Sequence, residues 1–168
     1  MLDAARISQR RAGPADVAII IAITRAAYAK WLAVIGREPK PMTADYAAAV
    51  RAHLIDLLEF DGQPIALIEL IPAGDHVLIE NIAVDPAYQG RRLGQRLLAH
   101  AEAITLSYGL SDLRLYTNKL FIANIDFYLA HGFQVTGEEA FRGGWLVHVR
   151  KELADPALAT SCEEGPPI

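Results

Sequence analysis

The sequence predicts a single α/β domain, a mixed and mostly antiparallel sheet flanked by helices in the order β-α-α-β-β-β-α-β-α-β-β. Three observations lead there. Runs rich in Ile, Val and Leu, bounded by Asp-Gly, Pro or Gly turns, recur between residues 54 and 84 and again beyond residue 112. Two other segments repeat their apolar residues at helical spacing and stop at a glycine. At 168 residues, 52% hydrophobic and 21% charged, the chain has the length of one domain and enough apolar surface for a core.

The elements follow in order. Ile7 between polar neighbours makes Arg6–Arg10 a short first strand, closed by Gly13-Pro14. Dense Ala and Ile from Val17 to about Leu32, behind Asp16 as a cap, make a helix that buries more than one stripe. Gly36 and the prolines at 39 and 41 break it, and Thr43 then caps a second short helix to His53, with Asp45 in its first turn. LIDLLEF and PIALIELI are strands about an Asp61-Gly62 turn, and HVLIENIAV completes an antiparallel meander. Leu93, Leu97, Leu98, Ala101 and Ile104 line one face of a helix that ends near Gly109. LRLYT is a strand, KLFIANIDFYLAHG a helix, and FQVTGEEAF and WLVHVRKEL a final strand pair about Arg142-Gly143-Gly144. This places the domain at residues 1–153, with an aperiodic tail over 154–168 that is expected to be loose.

The bulk chemistry excludes several function classes. A net charge of −4 argues against a general nucleic-acid binder. The most apolar run, Val17–Ile23, is about a third of the ~20 residues a bilayer span needs, and the first residues lack a secretory pattern, so neither span nor export is expected. One cysteine, Cys162 in the tail, provides no disulfide framework or multi-thiolate site, and a reducing, cytoplasmic compartment is the simplest expectation. No His pairs with Cys or carboxylates at ligand spacing, so no metal is assigned.

The informative stretch is AVDPAYQGRRLGQRLL, Ala83 to Leu98, which leaves a strand, turns at Asp85-Pro86 and opens a helix. Such a junction presents unpaired N–H groups at the positive end of the helix dipole, a site for phosphate oxygens. Gly90 and Gly94 would let a ligand approach the backbone, and Arg91 and Arg92 add charge, so a diphosphate fits better than one carboxylate. The spacing matches neither G-x-G-x-x-G nor the triphosphate loop that ends in Gly-Lys, because Gln95-Arg96 follow Gly94. A glycine turn with solvated arginines is the plain alternative.

This stretch resembles the acetyl-coenzyme A loop of the GCN5-related N-acetyltransferases (GNAT), whose pattern is Gln or Arg, two residues, Gly, one residue, then Gly or Ala. Gln89 and Gly94 match, and Arg92 stands where the first glycine is expected. The match requires Arg92 to keep negative φ and to point its side chain away from the diphosphate. LYTNKLFIANIDFYLAHGF is similar to the family's next strand and helix, in which an Asn is followed four residues later by a Tyr and then by Gly-Phe. Those positions are Asn124, Tyr128, Gly132 and Phe133. The element order from Ile7 to Leu153 is also the family's.

The resemblance implies a GNAT-type fold in which the fourth strand splays from the fifth. Acetyl-coenzyme A, the co-substrate, would lie in the gap with its arm pairing to the main chain of Ile82, Ala83 and Val84. Gln89, Gly90, Arg91, Arg92, Leu93, Gly94 and Gln95 would cradle its diphosphate, Asn124 would hydrogen-bond its arm, and Tyr128 would protonate the leaving thiolate. A Tyr128 packed as a core residue is the ordinary alternative. Strand alternation sets Leu78, Glu80, Ile82 and Val84 on one face, which makes Glu80 a carboxylate among apolar neighbours and a candidate base; a plain ion pair is the other reading. His148 reads as strand surface, and Cys162 in the tail is poorly placed for a nucleophile, so direct attack is expected. YAKWLAVIGREPKPMTADY would form the acceptor rim, with Tyr28, Trp31, Glu38 and Tyr46 available to an amine, although the same spacing also suits packing.

The expected activity is transfer of acetyl to an amine of a small molecule or peptide, in a ternary complex, by a monomer or homodimer. A catalytically silent acyl-coenzyme A sensor is the rival from another class. An enzyme with a longer acyl donor or a protein acceptor is the second rival.

Overall fold

The computed structural model describes residues 2–154, so the expected tail beyond Ala154, Cys162 included, lies outside the described residues. Seven strands, β1 (Ile7–Arg11), β2 (Leu54–Phe60), β3 (Gln63–Pro72), β4 (Val77–Val84), β5 (Asp112–Asn118), β6 (Gln134–Phe141) and β7 (Gly144–Glu152), form one sheet in the order β1-β2-β3-β4-β5-β7-β6. Every neighbouring pair is antiparallel except β4 and β5, which are parallel. The helices are α1 (Val17–Tyr28), α2 (Leu32–Ile35), α3 (Tyr46–Ala52), α4 (Leu93–Ser107) and α5 (Ile122–Ala130).

Two cores sit on opposite faces of the sheet. Ile20, Ile23 and Ala27 of α1, with Tyr46 and Ala49 of α3, pack on Ile55, Leu57, Leu67 and Ala83. Leu93, Leu97, Leu98 and Ala101 of α4, with Tyr128 of α5, pack on Leu58, Ile68, Leu70, Val77, Ile79, Leu113 and Leu115. Each fully buried Leu or Ile contributes roughly 1.5–3 kcal/mol of transfer free energy, which is why these stripes fix the helix orientations. The β2–β3 turn has Asp61 at φ 50° and Gly62 at φ 77°, the left-handed pair that follows the twist of a tight hairpin.

Three sequence expectations change here. The first helix does not run smoothly to Leu32: it tightens into a 3-10 turn at Ala29–Trp31 and ends as α2, where Gly36 at φ 69° stops it. The helical run Pro14–Ile35 is thus 22 residues long with a mean hydropathy of 1.7, enough by length and composition to cross a membrane, unlike the short run counted from sequence. Its stripe Ile20, Ile23, Thr24 and Ala27 is buried against the sheet. Finally, α3 is capped by Asp45, whose carboxylate accepts from Ala48 N–H at 3.0 Å, while Thr43 hydroxyl donates to the Lys40 carbonyl.

Strand β4 carries the irregularity that makes a site possible. Leu70 opposes Ile79 and Glu69 opposes Asn81, so Glu80 has no partner across β3 and bulges. Before the bulge Val77 and Ile79 belong to the α4-side core; after it Ile82 and Val84 pack on that core, and Ala83 joins the α1-side core. Simple alternation therefore fails at this point, and Glu80 does not share a face with Ile82 and Val84. On the other edge β4 pairs with β5 only over Val77–Ile79 and Leu113–Leu115. Beyond that the two strands part.

Asn81, just past the bulge, is buried and fully used. Its amide donates to Thr24 Oγ1 at 3.2 Å and to Tyr46 hydroxyl at 3.0 Å, and its Oδ1 accepts from Tyr28 hydroxyl at 3.0 Å. Asn81→Ala should cost roughly 2–4 kcal/mol, because it strands several buried polar groups at once. Urea unfolding with an unchanged midpoint would contradict this role.

Candidate active site

The parting of β4 and β5 opens a cleft of about 420 Å³. Its walls are Ile82 and Val84 of β4, the loop into α4, the exposed face of α5, and Tyr28 with Trp31 at the end of the first helical run. Asp85 N–H donates to the Ile65 carbonyl, so the period-two pattern assigns the main chain of Ala83 and Asn81 to β3 and that of Ile82 and Val84 to the gap. Two contacts agree: Val84 carbonyl accepts from Gln89 Nε2 at 3.0 Å, and Ile82 carbonyl lies 3.5 Å from Tyr28 hydroxyl. Of the three strand residues expected in the cleft, Ala83 is therefore the exception; its main chain serves β3 and its side chain is buried under α1.

The loop carries a row of unpartnered backbone donors. Asp85 caps the 3-10 turn Pro86–Tyr88 by accepting from Ala87 N–H, and Gln89 ties the loop back to the strand. The next N–H with a backbone partner is that of Arg96, which donates to Arg92 carbonyl at 3.1 Å. Between them the N–H groups of Gly90, Arg91, Arg92, Leu93, Gly94 and Gln95 have no partner among the described residues. A row of free donors at the start of a 15-residue helix suits diphosphate oxygens.

Both arginines behave differently from expectation, and Gly94 lines the cleft and also has a packing role. Arg92 is in the left-handed region, at φ 62°, not at negative φ, and it lines the cleft; it holds a backbone geometry natural to the glycine it replaces. Arg91 does not line the cleft, and its guanidinium rests 5.6 Å from the Tyr88 ring. Gly94 has no positive φ, and a Cβ there would sit 3.1 Å from Phe127 Cζ, so α4 needs a glycine to let α5 approach. Arg92→Gly is accordingly expected to stabilise the protein by about 1 kcal/mol, roughly 2–4 °C in Tm. A lower Tm in thermal unfolding would contradict it.

Helix α5 presents Asn124, Phe127, Tyr128 and His131 to the cleft, an i, i+3, i+4, i+7 stripe. Phe127 and His131 were missed from sequence, although this spacing with Asn124 and Tyr128 was there to be read. Tyr128 is 9% exposed and packs edge-on to Phe127 and Phe133, yet its hydroxyl hydrogen-bonds to no described residue. Burial pushes its phenol well above the ordinary tyrosine range, so it keeps its proton at neutral pH. His131 Nδ1–H donates to the Phe127 carbonyl at 2.7 Å, which leaves Nε2 as an acceptor.

Beyond Tyr28 and the Trp31–Phe121 stack, with ring centroids 4.3 Å apart, lies a second, smaller hollow of about 70 Å³. Tyr28 lines both spaces. Glu80 is here, ion-paired to Lys40 with Nζ–Oε1 2.5 Å and accepting from Tyr116 hydroxyl at 3.1 Å. Burial pulls the Lys40 ammonium down, but its bonds to Glu80 and Tyr116 outweigh that and hold it above the ordinary lysine value. Lys40 had no signal in the sequence, because it sits in a proline-flanked loop without periodicity. Of the expected acceptor rim, Tyr28 and Trp31 reach the site. Glu38 does not: it pairs with Arg25 at 2.7 Å on the exposed side of the first helix and lines neither space. Tyr46 is a core residue, 2% exposed, donating to the Pro41 carbonyl, and burial pushes its phenol up to about 12. Among the described residues no three His, Cys, Asp or Glu side chains are grouped to hold a metal.

A sheet split at a bulged strand, with a donor-lined helix start at its mouth, is the architecture of an acyl-coenzyme A-dependent acetyltransferase. The chain matches the acetyltransferase (GNAT) family over residues 21–133 and belongs to it. Its fold is similar to the PaiA N-acetyltransferase of Thermoplasma acidophilum in complex with coenzyme A, at 22% identity over 87% of this chain and 98% of that one, TM-score 0.74. It is also similar to the ribosomal-protein-S18-alanine N-acetyltransferase of Escherichia coli, at 21% identity over 88% and 94% of the two chains, TM-score 0.72. A GNAT family acetyltransferase from Elizabethkingia anophelis with acetyl-CoA bound gives 16% identity over 88% and 99%, TM-score 0.66. No curated protein sequence matches the chain.

Proposed function

We propose that the protein transfers acetyl from acetyl-coenzyme A to the amine of a small acceptor by direct attack in a ternary complex. The observation that carries this reading is an ordered series of groups along two adjoining spaces that share Tyr28. It runs from the free N–H groups of Gly90–Gln95, along the outward-facing main chain of Ile82 and Val84, to Tyr128 on one side and Glu80 beyond Tyr28. The cradle takes the diphosphate, and the strand edge takes the pantetheine amides as an added strand would.

The chemistry needs three services from the chain. The N–H of Ile82 or Val84, free on the gap side, stabilises the charge that develops on the thioester oxygen. The acceptor nitrogen forms the new C–N bond and gives up a proton to Glu80, directly or through water, as the C–S bond breaks. Tyr128 offers its O–H to the departing sulfur. Calorimetric titration with acetyl-coenzyme A, followed by thiol release over a panel of amines, tests the reading. Binding without release from any amine would favour the silent sensor instead.

A further inference from the structure

The acceptor hollow already holds an ammonium, and that ammonium belongs to the chain. Lys40 Nζ donates to Glu80 Oε1 and to Tyr116 hydroxyl, each at 2.5 Å, and lies 5.2 Å from the centroid of the Tyr116 ring. A carboxylate, a phenol oxygen and an aromatic face together make a receptor for a primary ammonium. The two partners are not equally free to leave. The Glu80 side chain is 16% exposed and the Lys40 side chain 47%, so Lys40 can swing to water while Glu80 remains. Lys40 and Glu80 also line a neighbouring hollow of about 360 Å³, so withdrawal of Lys40 would join the two spaces around Glu80.

An acceptor amine that reaches Glu80 therefore displaces Lys40, and what happens to the displaced charge decides which amines are accepted. Arg37 lines the same hollow, rests 5.8 Å from the Phe141 ring, and has no hydrogen-bond or ion-pair partner among the described residues. A plain amine or a polyamine would take the carboxylate and leave two uncompensated cations beside its own charge, a costly like-charge arrangement. An acceptor with its own carboxylate exchanges partners instead. Its ammonium takes Glu80, its anion faces Lys40 and Arg37, and the net charge of the hollow stays as it was before binding.

Resting on the amine-acetylation reading above, we propose that the acceptor is a small amine that also carries a carboxylate, such as an amino acid or short peptide. Glu80 receives its ammonium, and Arg37 and Lys40 receive its carboxylate. Phe121, Phe141, Ile35 and Leu146 give the rest of the hollow an apolar lining, which suits an apolar side chain on that acceptor.

The test is thiol release measured with matched pairs: phenylalanine against phenethylamine, and leucine against isoamylamine. In the unmodified protein kcat/KM should favour the carboxylate member of each pair by at least about tenfold, the worth of one charge-assisted hydrogen bond. In Arg37→Met that ratio should collapse toward unity, and Lys40→Met should shift it further toward the plain amine, because Glu80 is then unpaired. Arg37 makes no ion pair that folding would miss, and Arg37→Lys should restore part of the ratio. A ratio at or below unity in the unmodified protein, or one that Arg37→Met leaves unaltered, overturns the carboxylate assignment while acetyl transfer stands. No thiol release with any amine, when acetyl-coenzyme A still binds, overturns the acetylation reading and this assignment with it.

Discussion

Gly94→Trp is expected to remove acetyl-coenzyme A binding altogether, leaving no heat in a calorimetric titration. Two effects add. The indole would enter the cleft where the free N–H groups converge, and it would strike Phe127, whose Cζ already lies 3.1 Å from the place of the missing Cβ. The second effect must be separated from the first. Gly94→Ala adds only the Cβ, and in combination with Phe127→Leu the ring that it meets is gone. If packing is the cause, the double variant should bind better than Gly94→Ala alone, a positive coupling in a double-mutant cycle. Normal binding by Gly94→Trp would remove the cradle from the cofactor site.

Tyr128→Phe should lower kcat by about a hundredfold or more, the usual range for a lost general acid, with acetyl-coenzyme A affinity changed by no more than about threefold. The substitution is clean because the hydroxyl holds no partner in the described structure, so nothing buried is stranded by its loss. The pH dependence has a definite sign. A phenol whose pKa is raised by burial stays protonated through and beyond the ordinary tyrosine range, so the donor is not lost as the pH rises toward about 10. A kcat that falls on an alkaline limb near pH 8 would therefore belong to another group. An unchanged kcat in Tyr128→Phe would return Tyr128 to the core.

The glycine-bearing entry to α4 and the pair Asn124 and Tyr128 on α5 were legible because each is local. A glycine turn entering a helix and an Asn four residues before a Tyr need no knowledge of the rest of the chain. Phe127 and His131 complete the same helical face and follow from the same spacing. Three other features were not legible, each for a physical reason. Arg92 was expected at negative φ because an L residue avoids the left-handed region; its neighbours hold it there. Glu80 was placed with Ile82 and Val84 because alternation assumes an unbroken ladder, and the bulge depends on the partner strand. Lys40 and Arg37 come from a loop that only tertiary packing carries to the hollow around Glu80, and Glu38, two residues before Lys40, goes the other way to Arg25.

The unpaired Glu80 means that β4 keeps two different counts along one strand. Up to Ile79 the odd-numbered residues face the α4 layer, and beyond the bulge the even-numbered ones, Ile82 and Val84, do. A chain one residue shorter at this point would make a more regular ladder. At the present length, a ladder that took Glu80 into register opposite Glu69 would instead turn Asn81 toward the Leu97 layer and press Ile82 into the Thr24 and Tyr46 hydroxyls. Deletion of Glu80 should therefore remove the bulge and the ion pair with Lys40 while leaving Asn81 in the α1-side core. Register, more than length, is what this strand must keep to hold its cleft.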